Sequence, residues 1–203
     1  MNLIIKQINI LDMLELYGAE SCKNFLSTFI CPLNIDVVDF IHNKAIEFAK
    51  QRIAITFLVF RETEKGNVFA GYYTLANKFV AISANVLSKT LRKRIAKFSQ
   101  YDTILDRYLI SMPLIAQLGR NYSNTAKANP ISGDILLDLA CQNIKKVQHL
   151  IGGKTAYIEC ASNPKLHTFY STHDFVPFGE RKREQNELTD SPMLIQMLRY
   201  FKS

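Results

Sequence analysis

Apolar positions in the C-terminal half of this 203-residue chain fall in blocks whose period changes at polar joints. Residues 113–121 read as a strand, 123–130 as a polar turn, and Ile131, Ser132, Gly133 and Asp134 as the opening of a helix. Ile135, Leu136, Leu139, Ala140, Asn143, Ile144, Val147, Leu150 and Ile151 then recur at helical spacing, which predicts one broad buried face. Gly152-Gly153 stops that helix, and residues 154–160 return to β-rich composition with Thr155, Tyr157 and Ile158. Asn163-Pro164 opens a second helix ending in Phe169-Tyr170-Ser171-Thr172-His173-Asp174-Phe175, followed by a strand at 175–178. The order is β-α-β-α-β.

The N-terminal half is patterned less sharply. Residues 3–10 alternate as a strand, and 11–29 carry Leu14, Leu16, Tyr17, Phe25, Leu26 and Phe29 in helical turns broken at Gly18. Residues 35–50 form a clearer helix: Asn34 caps it, Asp36 and Asp39 suit its N-terminus, and Val37, Phe40, Ile41, Ala45 and Phe48 line one face. Residues 53–60 and 68–75 pair as a hairpin across 62–67. A final apolar strand spans 193–201.

Residues 88–98 predict a short amphipathic helix with Lys89, Arg92, Lys93, Arg94 and Lys97 around an apolar side. This is the strongest charge cluster. A solvated face and a landing site for RNA or another polyanion are the two readings. A second basic knot, Arg181-Lys182-Arg183, falls in a polar loop before the last strand.

The chain is long enough for one ordinary domain, and residues 1–203 are taken as that. Its 48% hydrophobic and 21% charged residues are those of a globular protein without a membrane span, and no signal peptide is evident, which points to the cytoplasm. Cys22, Cys31, Cys141 and Cys160 lack metal or redox spacing, so buried free thiols are expected and no metal is called for. His42, His149, His167 and His173 form no zinc-protease pattern, and no nucleophile elbow is present. The net charge of +7 favours polyanionic partners.

The β-α-β-α-β order, with these residues, resembles the acetyl-CoA-binding half of the Gcn5-related N-acetyltransferase (GNAT) superfamily, over roughly residues 53–178. The start Asn34-Ile35-Asp36-Val37-Val38-Asp39-Phe40 also looks like the first helix of relatives of the tRNA-acetylating toxins. The resemblance implies an α/β fold with a mixed, V-splayed sheet of six or seven strands flanked by helices. It implies acetyl-CoA as cosubstrate, its pantetheine arm pairing with the strand near Leu118, Gly119 and Arg120. Ser132, Gly133 and Asp134 would supply amide donors to the pyrophosphate at a helix N-terminus, and Asn163 would bind the pantetheine arm, with an N-cap ahead of Pro164 as its competing structural role. Tyr170 occupies the tyrosine of the family's F-Y-x-x-x-G-F signature and would protonate the leaving thiolate. Two departures stand out: Asp174 replaces that signature's glycine, and the phosphate loop keeps only Gly133 of its usual glycines.

The general base is not identifiable. The strand before the loop carries Gln117 where many acetyltransferases have glutamate, and Glu159 is the nearest carboxylate in sequence, with a purely structural role as its competing reading. An aminoacyl-tRNA acceptor would need no base, since its α-amine has a low enough pKa to supply neutral amine in the cell. The leading reading is N-acetyl transfer to a primary amine, with charged tRNA as a candidate acceptor, an antitoxin as a candidate partner and a homodimer as a candidate state. The alternative is a catalytically degenerate module that keeps the fold and binds nucleic acid or protein.

Overall fold

The computed structural model describes residues 3–185, 188 and 191–202. Among the described residues there are eight strands: β1 (Ile5–Asn9), β2 (Ala54–Thr63), β3 (Gly66–Ser83), β4 (Gln100–Asp102), β5 (Arg107–Arg120), β6 (Thr155–Ala161), β7 (Val176–Lys182) and β8 (Met193–Tyr200). Seven follow the order β1-β2-β3-β5-β6-β8-β7, and the three-residue β4 pairs with β5 off that path. β5 and β6 run parallel, with Leu114 opposite Tyr157, while β1–β2, β2–β3, β4–β5, β6–β8 and β7–β8 are antiparallel. The mixed sheet anticipated from the sequence is therefore present, with β4 as an addition.

The α-helices are α1 (Ile10–Leu26), α2 (Ile35–Asp39), α3 (Ala45–Lys50), α4 (Lys89–Ile95), α5 (Asn124–Ala128), α6 (Gly133–Ile151) and α7 (Pro164–Thr172). Parallel strands cannot be joined by a tight turn, and α6 makes the connection from β5 to β6. The chain divides into two compact units, Met1–Ala76 with Ala116–Gln142, and Asn77–Ile115 with Asn143–Ser203.

In the first unit α1 starts where Asn9 Oδ1 accepts a hydrogen bond from Leu11 N at 2.9 Å. Gly18 breaks it with φ 76° and ψ 165°, the interruption its glycine predicts. Residues 35–50, expected as one helix, are split by a π-helical turn at Phe40–Lys44. That extra residue per turn lets Phe40, Ile41 and Ala45 all reach the core. Phe29 meets Tyr72 edge-on at 5.1 Å, and Tyr72 donates its hydroxyl hydrogen to Val37 O at 2.6 Å. The Tyr72 ring is fully buried, so that bond satisfies the polar atom its burial brings inside.

In the second unit β6 is buried through Tyr157 and Ile158, and β8 contributes Met197 and Leu198. Gly152 and Gly153 end α6 with φ of 84° and 101°, values open to glycine. Gln148 Nε2 then donates to Thr155 O at 2.6 Å, tying the helix end to the start of β6. The broad buried face expected of α6 stops short, because Leu150 and Ile151 are 82% and 79% exposed. Their helical spacing is correct, but no described element covers that last turn. The basic knot also differs from expectation: Arg181 and Lys182 extend β7 instead of lying in a loop. All four cysteines are buried and free.

Candidate functional site

The expected site residues lie in both units: residues 118–120 and 132–134 in the first, Asn163 and Tyr170 in the second. In the first unit, β5 ends at Leu118-Gly119-Arg120. Gly119 is there for packing: a Cβ would sit 3.1 Å from Phe29 Cζ and 3.3 Å from Tyr72 Cε1. Its carbonyl is crowded as well, since a Cβ on Gly71 would come within 2.7 Å of Gly119 O. Paired glycines thus allow β3 and β5 backbones to approach closely at the strand end assigned to the pantetheine arm. Arg120 and Tyr122 pair side by side, with the guanidinium carbon 5.1 Å from the ring centroid and a hydrogen bond to the hydroxyl.

Asn121, buried, locks this end. Its N–H donates to Ala70 O at 2.8 Å and its Nδ2 to Phe69 O at 2.9 Å, while its Oδ1 accepts from Ile30 N at 3.1 Å and Ser123 N at 3.0 Å. The sequence shows Asn121 only as the last residue of a strand, because a hydrogen-bonding role across such separations has no local signature.

The polar turn beyond it holds the short helix α5, and α6 begins at Gly133, two residues later than the expected opening at Ile131. Ser132 caps α6, its Oγ accepting from Ile135 N at 3.2 Å. Gly133 and Asp134 are therefore in the first helical turn, whose N–H groups have no intrahelical acceptor and lie at the positive end of the helix dipole. Asp134 is exposed, and Ser132 and Gly133 are half-buried. This donor set fits an anionic group, with Ser132 acting through the cap. Arg61, from β2, donates Nη1–H to Pro130 O at 3.0 Å and so brings a guanidinium to the same loop. Nothing in the sequence near the loop indicates Arg61.

Gln117 donates from Nε2 to Asp36 Oδ2 at 3.0 Å. The carboxylate beside this part of β5 thus comes from the first turn of α2, which sequence order does not reveal.

In the second unit Asn163 is exposed and caps α7, its Oδ1 accepting from Lys165 N at 2.9 Å with Pro164 at the first helical position. Tyr170, on α7, is half-buried in an aromatic cluster, edge-on to Phe169 at 5.0 Å and to Phe175 at 5.8 Å. Burial, with a smaller contribution from the Cys160 thiol, raises its phenol well above the usual range. The hydroxyl stays protonated at neutral pH and can donate to developing negative charge. Asp174 turns the chain with φ 63°, the left-handed conformation for which the signature uses glycine.

Glu159 is held from both sides. Arg181 Nη2 lies 2.5 Å from its Oε2, Tyr157 donates its hydroxyl to Oε1 at 2.5 Å, and Gln196 Nε2 donates to that same hydroxyl oxygen at 2.7 Å. Burial alone would raise its carboxyl, but the Arg181 and Tyr157 hydrogen bonds outweigh it and leave the pKa below the ordinary carboxylate range. The basic helix is divided too: Arg92 points inward and donates Nη2–H to Ala84 O at 2.7 Å, whereas Arg94 stacks over Tyr200 at 5.1 Å. Among the described residues no group of three or more His, Cys, Asp or Glu side chains could hold a metal ion. No described helix is long and apolar enough to cross a membrane.

No family model matches the sequence, and no curated protein matches it. Solved structures do. AtaT complexed with acetyl-methionyl-tRNAfMet is 19% identical over 96% of this chain and 94% of its own, with a TM-score of 0.59. A tyrosine-to-phenylalanine mutant of KacT is 16% identical over 97% and 95%, also at 0.59. A chain of AtaTR bound with acetyl-CoA is 19% identical over 97% and 94%, at 0.56. At these identities the likeness shows the fold alone, a GNAT fold shared with AtaT and KacT across nearly the whole chain.

Proposed function

We propose that this protein is an acetyl-CoA-dependent N-acetyltransferase that transfers an acetyl group to the primary amine of a charged tRNA by direct attack. The observation that carries the reading is the near full-length likeness in fold to AtaT, structures of which contain acetyl-CoA or acetyl-methionyl-tRNAfMet. The backbone of Leu118, Gly119 and Arg120 takes the pantetheine arm and polarises the thioester carbonyl. Gly133 and Asp134 amides at the start of α6, kept in place by the Ser132 cap, take the pyrophosphate. Asn163 contacts the arm from the start of α7. The amine nitrogen attacks the carbonyl carbon, the carbon–sulfur bond breaks, and Tyr170 gives its hydroxyl proton to the departing thiolate while the amine's surplus proton goes to water.

Glu159 takes no part in this scheme, because a carboxylate engaged by Arg181 and Tyr157 with a lowered pKa is a poor proton acceptor. An α-amine with a pKa of roughly 8 keeps a usable neutral fraction, about a tenth to a fifth near neutral pH, which removes the need for a base. The setting is the cytoplasm, where both substrates occur. An AtaT toxin is bound by the C-terminus of the antitoxin AtaR in a solved structure, and an antitoxin partner is proposed here by the same likeness.

Titration calorimetry and thermal melting with acetyl-CoA test the reading. At about 100 times its dissociation constant the cosubstrate stabilises the fold by about 2.7 kcal/mol. No heat and no shift at millimolar acetyl-CoA would contradict it and favour a degenerate module.

A further inference from the structure

The second unit carries a groove of about 630 Å³ formed by α4, the C-terminal part of α6, the residues after α7 and the end of β8. Arg94, Lys145, Arg199 and Lys202 line it. Its one lining carboxylate, Asp174, lies 3.6 Å from the Arg199 guanidinium. Three of the four cations are seated on aromatic rings. The Arg94 guanidinium is over Tyr200 at 5.1 Å, Lys145 Nζ over Phe201 at 5.1 Å and the Arg199 guanidinium over Phe201 at 5.4 Å.

Ring seating orders long side chains before any ligand arrives, which lowers the entropy cost of engaging an anion. The charges come from three separate elements, α4, α6 and the end of β8, and several cations lining one open groove can accommodate repeated anions on a chain. Planar guanidinium groups match phosphate bidentately, and Phe98, 38% exposed and 6.5 Å from Tyr200, adds a ring at the edge.

We propose that this groove binds the phosphate backbone of single-stranded RNA. The proposal deepens the charged-tRNA reading above and rests on it. Phe175 both lines the groove and packs against Tyr170 at 5.8 Å, so an RNA strand seated there lies beside the helix that carries the proposed acid. Of the basic residues of α4, Arg94 faces the groove, while Arg92 is spent on Ala84.

The test is fluorescence anisotropy with a labelled unstructured RNA twelve-mer across a salt series, which needs no turnover. The protein is compared with a groove variant, Arg94→Gln/Lys145→Gln/Lys202→Gln, and with a control of equal charge loss in the first unit, Lys23→Gln/Lys50→Gln/Lys65→Gln. Circular dichroism melts check that both variants fold. The groove variant is expected to bind at least tenfold more weakly and to flatten the log–log salt slope by about 2, at roughly 0.7 per single-strand phosphate contact. The control keeps most of the affinity. Equal losses in both variants would mean net charge alone and overturn the proposal. Tighter, groove-dependent binding of poly-glutamate than of RNA would also overturn it, by assigning the groove to an acidic protein segment. Transfer of acetyl from acetyl-CoA to charged tRNA by the wild type is followed in parallel: its failure counts against the acetyltransferase reading, whereas groove-specific loss of RNA binding counts for this one.

Discussion

Arg181 on β7 and Glu159 on β6 meet at 2.5 Å across the intervening strand β8, and the contact commits the carboxylate to structure. Glu159→Gln is therefore expected to change kcat by no more than a few-fold while lowering stability by about 1–3 kcal/mol, since Arg181 and Tyr157 lose an anionic partner. The pH dependence follows from the lowered pKa. Its stabilising contribution is present above the unfolded value of about 4.5 and is lost as pH falls through the folded value. Acid melts should show the wild type losing stability below pH 4.5 more steeply than the variant. A drop in kcat of more than a hundredfold would instead make Glu159 the base.

Asp174 holds a left-handed backbone that a glycine would adopt without strain. Its contact with Arg199 is at 3.6 Å from a carboxylate that is 77% exposed, a geometry that contributes little. Asp174→Gly should raise stability by up to about 1 kcal/mol in denaturant titrations. Destabilisation would mean that the Arg199 contact outweighs the backbone term.

Gly119→Ala is expected to cost about 1–3 kcal/mol, because the methyl group would press on Phe29 and Tyr72 inside a packed core. Denaturant titration reads the loss, and a neutral result would show that the two rings can yield.

Burial pushes the Cys160 thiol up to about 11 and Tyr170 higher still. Groups raised on folding contribute stability that is intact below their unfolded values and is lost as pH climbs toward the folded ones. Stability attributable to Cys160 should stay level to about pH 9 and decline between pH 9 and 11, a decline that Cys160→Ser reduces. Wild type and variant falling in parallel would place the thiol's ionisation elsewhere.

Much of the fold was legible because its signals are local. Asn34, Ser88 and Asn163 each announce the helix they cap, Gly152-Gly153 ends α6, and Gly18 breaks α1. Other features depend on residues far apart in the chain. The π turn at Phe40–Lys44 answers to a core assembled from α1, β2 and β3, and the length of β3 beyond residue 75 has no alternation to mark it. At the candidate site, Tyr170 and the α6 N-terminus were readable through a family pattern. Arg61 at Pro130, Asp36 at Gln117 and the four bonds of Asn121 were not, because each joins segments that only folding brings together.

The most direct measurement is transfer of labelled acetyl from acetyl-CoA to charged tRNA by wild type and Tyr170→Phe. Wild type should label the α-amine of the aminoacyl group, and Tyr170→Phe should lose about 10²- to 10⁴-fold in kcat with acetyl-CoA affinity nearly unchanged. No transfer by the wild type, or full turnover by Tyr170→Phe, would contradict the acceptor or the acid, respectively.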